Sequence, residues 1–271
     1  MFVSGKGIDS ASCGTVASPW RTFQQAHDNT AAGGEVIVRD SGDYGPVRIT
    51  QSISIANDGA GTASVRGGVK IDRSLGLSGT VLLRGLSITG SGIYAIDLGS
   101  LTIINCVVRQ AGISLVNLAV KTSFSISHTI VAENGNRGIS LAASAADGGS
   151  FVGVIDHVLA YNNSDDGISL GLVGEVTIIG SVLANNGGAG SRTIGGDVVP
   201  MSVTLRNVTA IYNENSGLVF GDGTNRIAHS VATGNDFEGV TAVGAVVESY
   251  GDNNLRDNTS GNDHLTLVAP Q

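Results

Sequence analysis

The chain has 271 residues, a formal net charge of −8 and only 14% charged residues. That balance excludes the basic footprint that nucleic-acid phosphates require, and it also excludes a disordered acidic tail. Forty glycines, four prolines and 4% aromatic residues speak against a sandwich core built on large anchors and for short strands joined by tight turns.

Residues 1–18 read as a lead-in rich in Gly and Ser. Ser18 and Pro19 then read as the cap and first position of a short helix over residues 20–29. Trp20, Phe23 and His27 fall on one apolar face of it, suited to lie across the open end of a sheet stack. Gly33 and Gly34 end the helix, and from Glu35 onward the pattern is period-two runs of four to six residues between turn residues. No apolar run approaches the roughly 20 residues of a membrane helix, so no membrane insertion is expected. No basic segment followed by an apolar stretch opens the chain as a leader would.

From Val81 an internal repeat emerges: strand, polar turn, strand, Asn-bearing loop, then Gly and a third strand. The Gly that opens the third strand is Gly92, Gly112, Gly138, Gly167, Gly190, Gly217 and Gly239, at intervals of 20–29 residues. Such a period predicts an all-β solenoid, a parallel β-helix of about ten coils. Each strand would pair with its equivalent one coil on, about 4.8 Å away. Asn134, Asn162, Asn186, Asn213 and Asn235 are candidates for an amide ladder along the stack. The expected layout is one domain: residues 1–34 as lead-in and cap helix, 35–250 as coils, 251–271 as an irregular cap or tail.

The coil pattern, as in FSISHTIVAENGNRGISL, resembles right-handed parallel β-helix proteins of the pectate-lyase-like superfamily, over nearly the whole chain. FVSGKGIDSASC, PWRTFQQA, AAGGEVIVRDSGDYGPVRITQSISI, LRGLSITG and LTIINCVV are similar to a narrower bacterial group of such repeat proteins. That group usually carries a Cys pair flanking the turn before RTFQ. Here Cys13 is present and Trp20 stands at the second place. The bare sequence favours a buried free thiol at Cys106. The resemblance implies a secreted or cell-surface protein. The superfamily contains polysaccharide lyases, hydrolases and epimerases as well as binding and surface proteins, and fold alone does not choose among them.

Chemistry has one candidate place. The resemblance implies a substrate groove along the strand after the Gly and the loop before it. Asp165 and Asp166 stand there, immediately before Gly167, and Arg137 and Arg192 fall one coil to either side. Two carboxylates could divide acid and base work on a glycosidic bond. They could also hold Ca²⁺ against an acidic sugar. An Arg–Asp–Arg stack would suit a uronate polymer cleaved by β-elimination. The plainer alternative is that the carboxylates neutralise the arginines, or that Asp before Gly is ordinary turn chemistry. The catalytic Asn-Thr-Asp, Gly-His-Gly and Arg-Ile-Lys motifs of the polygalacturonases do not appear in place.

His128, His157 and His229, with Asn105 and Asn207, read as a polar turn ladder on another edge, without metal-ligand spacing. Tyr94, Tyr161, Tyr212, Phe220 and Phe237 are candidates for sugar stacking. The functional expectation is therefore a carbohydrate-active or carbohydrate-binding protein with polysaccharide as partner. The alternative is a non-catalytic surface, adhesive or assembly protein using the solenoid as a rigid rod, a use that also admits a homo-oligomer.

Overall fold

The computed structural model describes residues 1–72, 78–144, 148–171, 174–195, 201–262 and 265–268. His264 and the end of the expected tail lie outside them. Among the described residues, parallel strands form three sheets. The first has twelve strands, from Phe2–Val3 to Thr266–Leu267, and the second and third have nine each. One coil takes one strand from each sheet in turn, as in Ser150–Asp156, Leu159–Tyr161 and Ile168–Gly171. Nine complete coils result, close to the ten expected, with extra first-sheet strands at both ends.

Inward alternation builds the core. On the first sheet Ile55, Leu83, Ile103, Ile126, Ile155, Ile178, Leu205 and Ile227 succeed one another in register, each shielded from solvent. Aliphatic side chains stacked one coil apart fill the narrow interior with little room for rings, which explains the low aromatic content.

The corner between the first and second sheets is a tight turn whose hinge residue has positive φ: Gly85, Asn105, His128, His157, Gly180, Asn207 and His229, at φ 49–70°. Asn and His tolerate this left-handed region better than most side chains, which is why these types recur here.

The helix is shorter than expected. It spans Phe23–Asp28 with Thr22 as its cap, not Ser18 with Pro19. Trp20 is drawn into sheet pairing instead: its N–H donates to Phe2 O and its carbonyl accepts from Ser4 N. Asp9 fixes the turn by accepting from Arg21 N, Thr22 N and Thr22 Oγ1. The helix does lie over the first coil, with the Phe23 ring packed at a 31° tilt against buried Tyr44, centroids 4.8 Å apart. His27 is more than packing. Its Nε2 accepts from Thr50 N, which leaves the ring proton on Nδ1, facing Asp28.

Both cysteines are free thiols. Cys106 is buried, and burial pushes its pKa up to about 11.

Candidate functional site

The corner between the second and third sheets positions the candidate residues. From Asn134 onward it reads Asn-x-x-x-Gly in each coil: 134–138, 163–167, 186–190, 213–217 and 235–239. The residue before each Asn adopts positive φ, as at Glu133, Asn162, Asn185, Tyr212, Gly234 and Asp257. The Asn itself turns inward. Asn134, Asn163, Asn186, Asn213, Asn235 and Asn258 form a continuous ladder, each Nδ2 donating to the next Oδ1 at 2.7–2.9 Å. The ladder member in its coil is thus Asn163, not Asn162. Asn162 occupies the left-handed hinge position, which points its side chain away from the interior.

The closing Gly is required by close approach. A Cβ at Gly138, Gly167 or Gly190 would run into the carbonyl oxygen of the equivalent Gly one coil on. That carbonyl accepts the first ladder hydrogen bond of the third sheet, as Ile139 N donates to Gly167 O and Ile168 N to Gly190 O.

The four candidates meet in this frame. Arg137 and Asp166 occupy equivalent places in successive coils, directly before the Gly. Arg192 does not sit in the corner. It is an outward residue of the third-sheet strand Ser191–Ile194 and reaches back to the preceding coil. Arg137 Nε donates to Asp165 Oδ2 at 3.0 Å and lies 4.0 Å from Asp166 Oδ2. Arg192 Nε lies 3.1 and 3.0 Å from the two oxygens of Asp166, and Ala189 N donates to Asp166 Oδ1 at 2.8 Å. Asp166 is only 1% exposed and is held closed by these partners, whereas Asp165 and Arg137 remain about two-fifths exposed.

This donor set does not fit Ca²⁺. The cation needs about six to eight oxygen ligands, and the two carboxylates are engaged by guanidinium groups. Among the described residues no cluster of three or more His, Cys, Asp or Glu gathers as a metal site would.

Beside this cluster a cleft runs along the outer face of the third sheet. Two hollows of 430 and 260 Å³ share Ser91 and Tyr94. The outward row beneath them is Arg48, Lys70, Tyr94, Ser114 and Ser140, one residue per coil. Arg137 lines the far end, the one member of the four-residue cluster to do so. Arg48 is paired with Asp72, while Lys70 is exposed.

Tyr94 is the sugar-stacking candidate that reaches the cleft. Tyr161 projects from the second sheet, Tyr212 sits at the hinge, Phe220 is buried in the core, and Phe237 is exposed in a corner. Arg48 and Lys70 escaped the sequence reading. Their signal is a cation flanked by β-branched residues, Val47-Arg48-Ile49 and Val69-Lys70-Ile71, which marks an outward position on an inward-facing strand.

A family model described as "Right handed beta helix region" matches residues 91–260. The chain belongs to this right-handed β-helix family. Its architecture is of the pectate-lyase-like type. Pectate lyase Pel9A has 17% identity and a TM-score of 0.61, covering all of this chain and 79% of its own. A rhamnogalacturonan lyase has 17% identity and a TM-score of 0.63, covering 87% and 74%. The A-module of mannuronan C-5 epimerase AlgE4 from Azotobacter vinelandii has 14% identity and a TM-score of 0.53, covering 92% and 94%. At these identities the likeness is one of fold. No curated protein matches the sequence.

The histidine corner of this β-helix lies away from the cleft. His128 and His157 stack with ring centroids 5.2 Å apart, and His157 Nδ1 lies 2.6 Å from Asp156. Among the described residues no helix is long and apolar enough to cross a membrane.

Proposed function

We propose that this β-helix protein is carbohydrate-active and binds an acidic polysaccharide along the third-sheet cleft, its chain parallel to the solenoid axis. The observation that carries the reading is the cleft itself. It presents Lys70 as a cation, Tyr94 as a flat apolar face and Ser114 and Ser140 as hydroxyls in one row, with Arg137 as a second cation at the corner beside its far end. A cation toward each end with a ring and hydroxyls between them suits a polymer of carboxylated sugars. The net charge of −8 opposes such a ligand at long range, but salt screens that repulsion beyond about 8 Å. Contacts at Lys70 and Arg137 act well inside that distance. The named neighbours, two polysaccharide lyases and an alginate-type epimerase, share the fold and make this substrate class the natural one to test. Such a role places the protein outside the cytoplasm, secreted or on the cell surface.

The catalytic version is β-elimination at the Arg137 end. Arg137 would neutralise the uronate carboxylate and so acidify the adjacent C–H. Asp165 beside it would accept the proton as the glycosidic C–O bond breaks, its oxygen leaving protonated by solvent. Asp166 and Arg192 would hold Arg137 and Asp165 in position without touching the sugar.

The test is calorimetric titration with polygalacturonate, alginate and a neutral glucan, together with ultraviolet absorbance for unsaturated products. Uronate binding that weakens about tenfold, or 1.4 kcal/mol, in Lys70→Ala and in Arg137→Ala is expected. Absence of unsaturated product with binding intact removes the elimination step. Absence of binding to any polymer removes the whole reading in favour of a non-catalytic scaffold.

A further inference from the structure

A hollow of about 510 Å³ lies on a different face: the outer side of the first sheet near its C-terminal end. Its origin is visible in the register. Arg206 stands opposite Ala228, and Tyr250 follows Ser249, the partner of Ile227, so Arg206, Ala228 and Tyr250 form one outward row across three coils. Arg206 and Tyr250 therefore rise from backbones roughly 10 Å apart, two coil spacings, with only a methyl group between them. Thr204 and Arg226 wall one side, and His229 and Asp252 the other.

The electrostatics of this hollow are uneven. Arg226 is paired with Glu248 at 2.8 Å, and His229 with Asp252 at 3.2 Å. Asp252 also accepts from His229 N at 2.9 Å. Among the described residues Arg206 is exposed and has no ion-pair partner. One end of the hollow thus presents an uncompensated guanidinium. The other end presents a half-exposed aromatic ring, with Asp252 as an acceptor beside it. A bare inorganic anion would meet Arg206 favourably but be repelled by Asp252. A ligand with one carboxylate and several hydroxyls on a ring satisfies both ends: the carboxylate on Arg206, a hydroxyl donating to Asp252, the ring's apolar face on Tyr250. The volume lies within the range of about 300–1,000 Å³ typical of small-ligand sites.

We propose that this hollow is a binding site for a single acidic sugar residue, with Arg206 as the anion-recognising group and Tyr250 as the stacking face. It shares no residue with the third-sheet cleft and stands independently of the function proposed there.

The experiment is an NMR titration of the full chain with galacturonate, galactose and inorganic sulfate, following the Arg206 Nε–H and the amides of His229 and Tyr250. It is repeated in Arg137→Ala, so that loss of the cleft cannot mimic loss of this site. Saturable shifts with galacturonate at a dissociation constant of roughly millimolar order, and much weaker ones with galactose and sulfate, are expected in both proteins. Arg206→Gln should weaken binding about tenfold. Ala228→Leu, which fills the hollow from an outward position, should abolish it while the circular dichroism spectrum and melting temperature stay unchanged. Equal response to sulfate and galacturonate, an unaltered response in Ala228→Leu, or no response in the unsubstituted chain would each overturn the proposal.

Discussion

The N-terminal and C-terminal coils close the same corner by different means. Between residues 67 and 112 the second and third sheets are joined by two or three small residues: Gly67-Gly68, Gly90-Ser91-Gly92, Ala111-Gly112. Backbone hydrogen bonds nearly suffice there, as Gly67 N donates to Thr89 O and Val69 N to Gly92 O. From Asn134 the corner widens to Asn-x-x-x-Gly. The change is marked by a register shift in which Arg109 and Gln110 face Ala132 and Asn134, with Glu133 as the extra, left-handed residue. A wider corner leaves backbone groups facing inward that no strand can pair, and the buried Asn supplies the missing donors and acceptors. The same widening carries Arg137, Asp165 and Asp166 out beside the third sheet. The narrow corners leave the outward row open as a cleft, and the wide ones furnish its charged end.

The sharpest way to test this difference is to remove one amide from each region. Asn213 Oδ1 accepts from Asn186 N and Nδ2, and its own Nδ2 donates to Leu183 O and Asn235 Oδ1, all buried. Asn213→Ala should therefore destabilise by about 3–4 kcal/mol, from several buried groups left unpaired at ~1 kcal/mol or more each. Gln110→Ala, at the register shift, loses one exposed bond from Gly90 N and should change stability by less than about 1 kcal/mol. Urea denaturation of both variants measures the contrast, and equal effects would refute the division.

The closing Gly row is common to both regions, so it serves as a control. A Cβ at Gly112 would meet Gly138 O, and one at Gly190 would lie 2.6 Å from Gly217 O. Gly112→Ala and Gly190→Ala should each lower stability by about 2–3 kcal/mol through overpacking against backbone. A tolerated Gly112→Ala would show that the N-terminal coils relax where the C-terminal ones cannot.

These Gly positions were also what made the fold legible. Their spacing, with period-two runs between them, suffices for a solenoid because each coil must repeat the same close approach. The Asn ladder was legible as a class but slipped by one residue at Asn162. Two adjacent Asn are equivalent in composition, and only the hinge dihedral separates the left-handed one from the buried one. The helix start slipped because Ser18-Pro19 is a sound local cap, yet Trp20 is won by pairing with Phe2 and Ser4, contacts no local pattern reveals. At the candidate site, adjacency of Arg137, Asp165, Asp166 and Arg192 followed from coil counting. That Asp166 is enclosed while Arg137 faces the cleft depends on side-chain direction across three coils. Lys70 and Arg206 each derive meaning from what their neighbours in the row leave open, which is a property of register and not of any short segment.

The smallest expected effect concerns acid, and it separates the two regions again. The N-terminal end is fastened by Asp40, whose carboxylate accepts from Ser4 Oγ, Gly5 N and Tyr44 OH at 2.6–2.9 Å. Partial burial pushes its pKa upward, but these hydrogen bonds outweigh that and hold it below the ordinary carboxylate value. A carboxyl with a depressed folded-state pKa contributes stability that is present above its unfolded value, about 3.9, and is lost as pH falls through the folded one. The lead-in around Phe2–Val3 should therefore loosen below about pH 4. The Asn ladder contains no titratable group and should hold. Amide hydrogen exchange at Ser4 and Gly5, corrected for intrinsic rates, should accelerate between pH 5 and pH 3 relative to Asn186 and Asn213. Asp40→Asn should remove most of that pH dependence while loosening the same amides at pH 5. If the ladder amides open first, the C-terminal corners owe their stability to charged neighbours such as Asp166, and the amide ladder is not what separates the two regions.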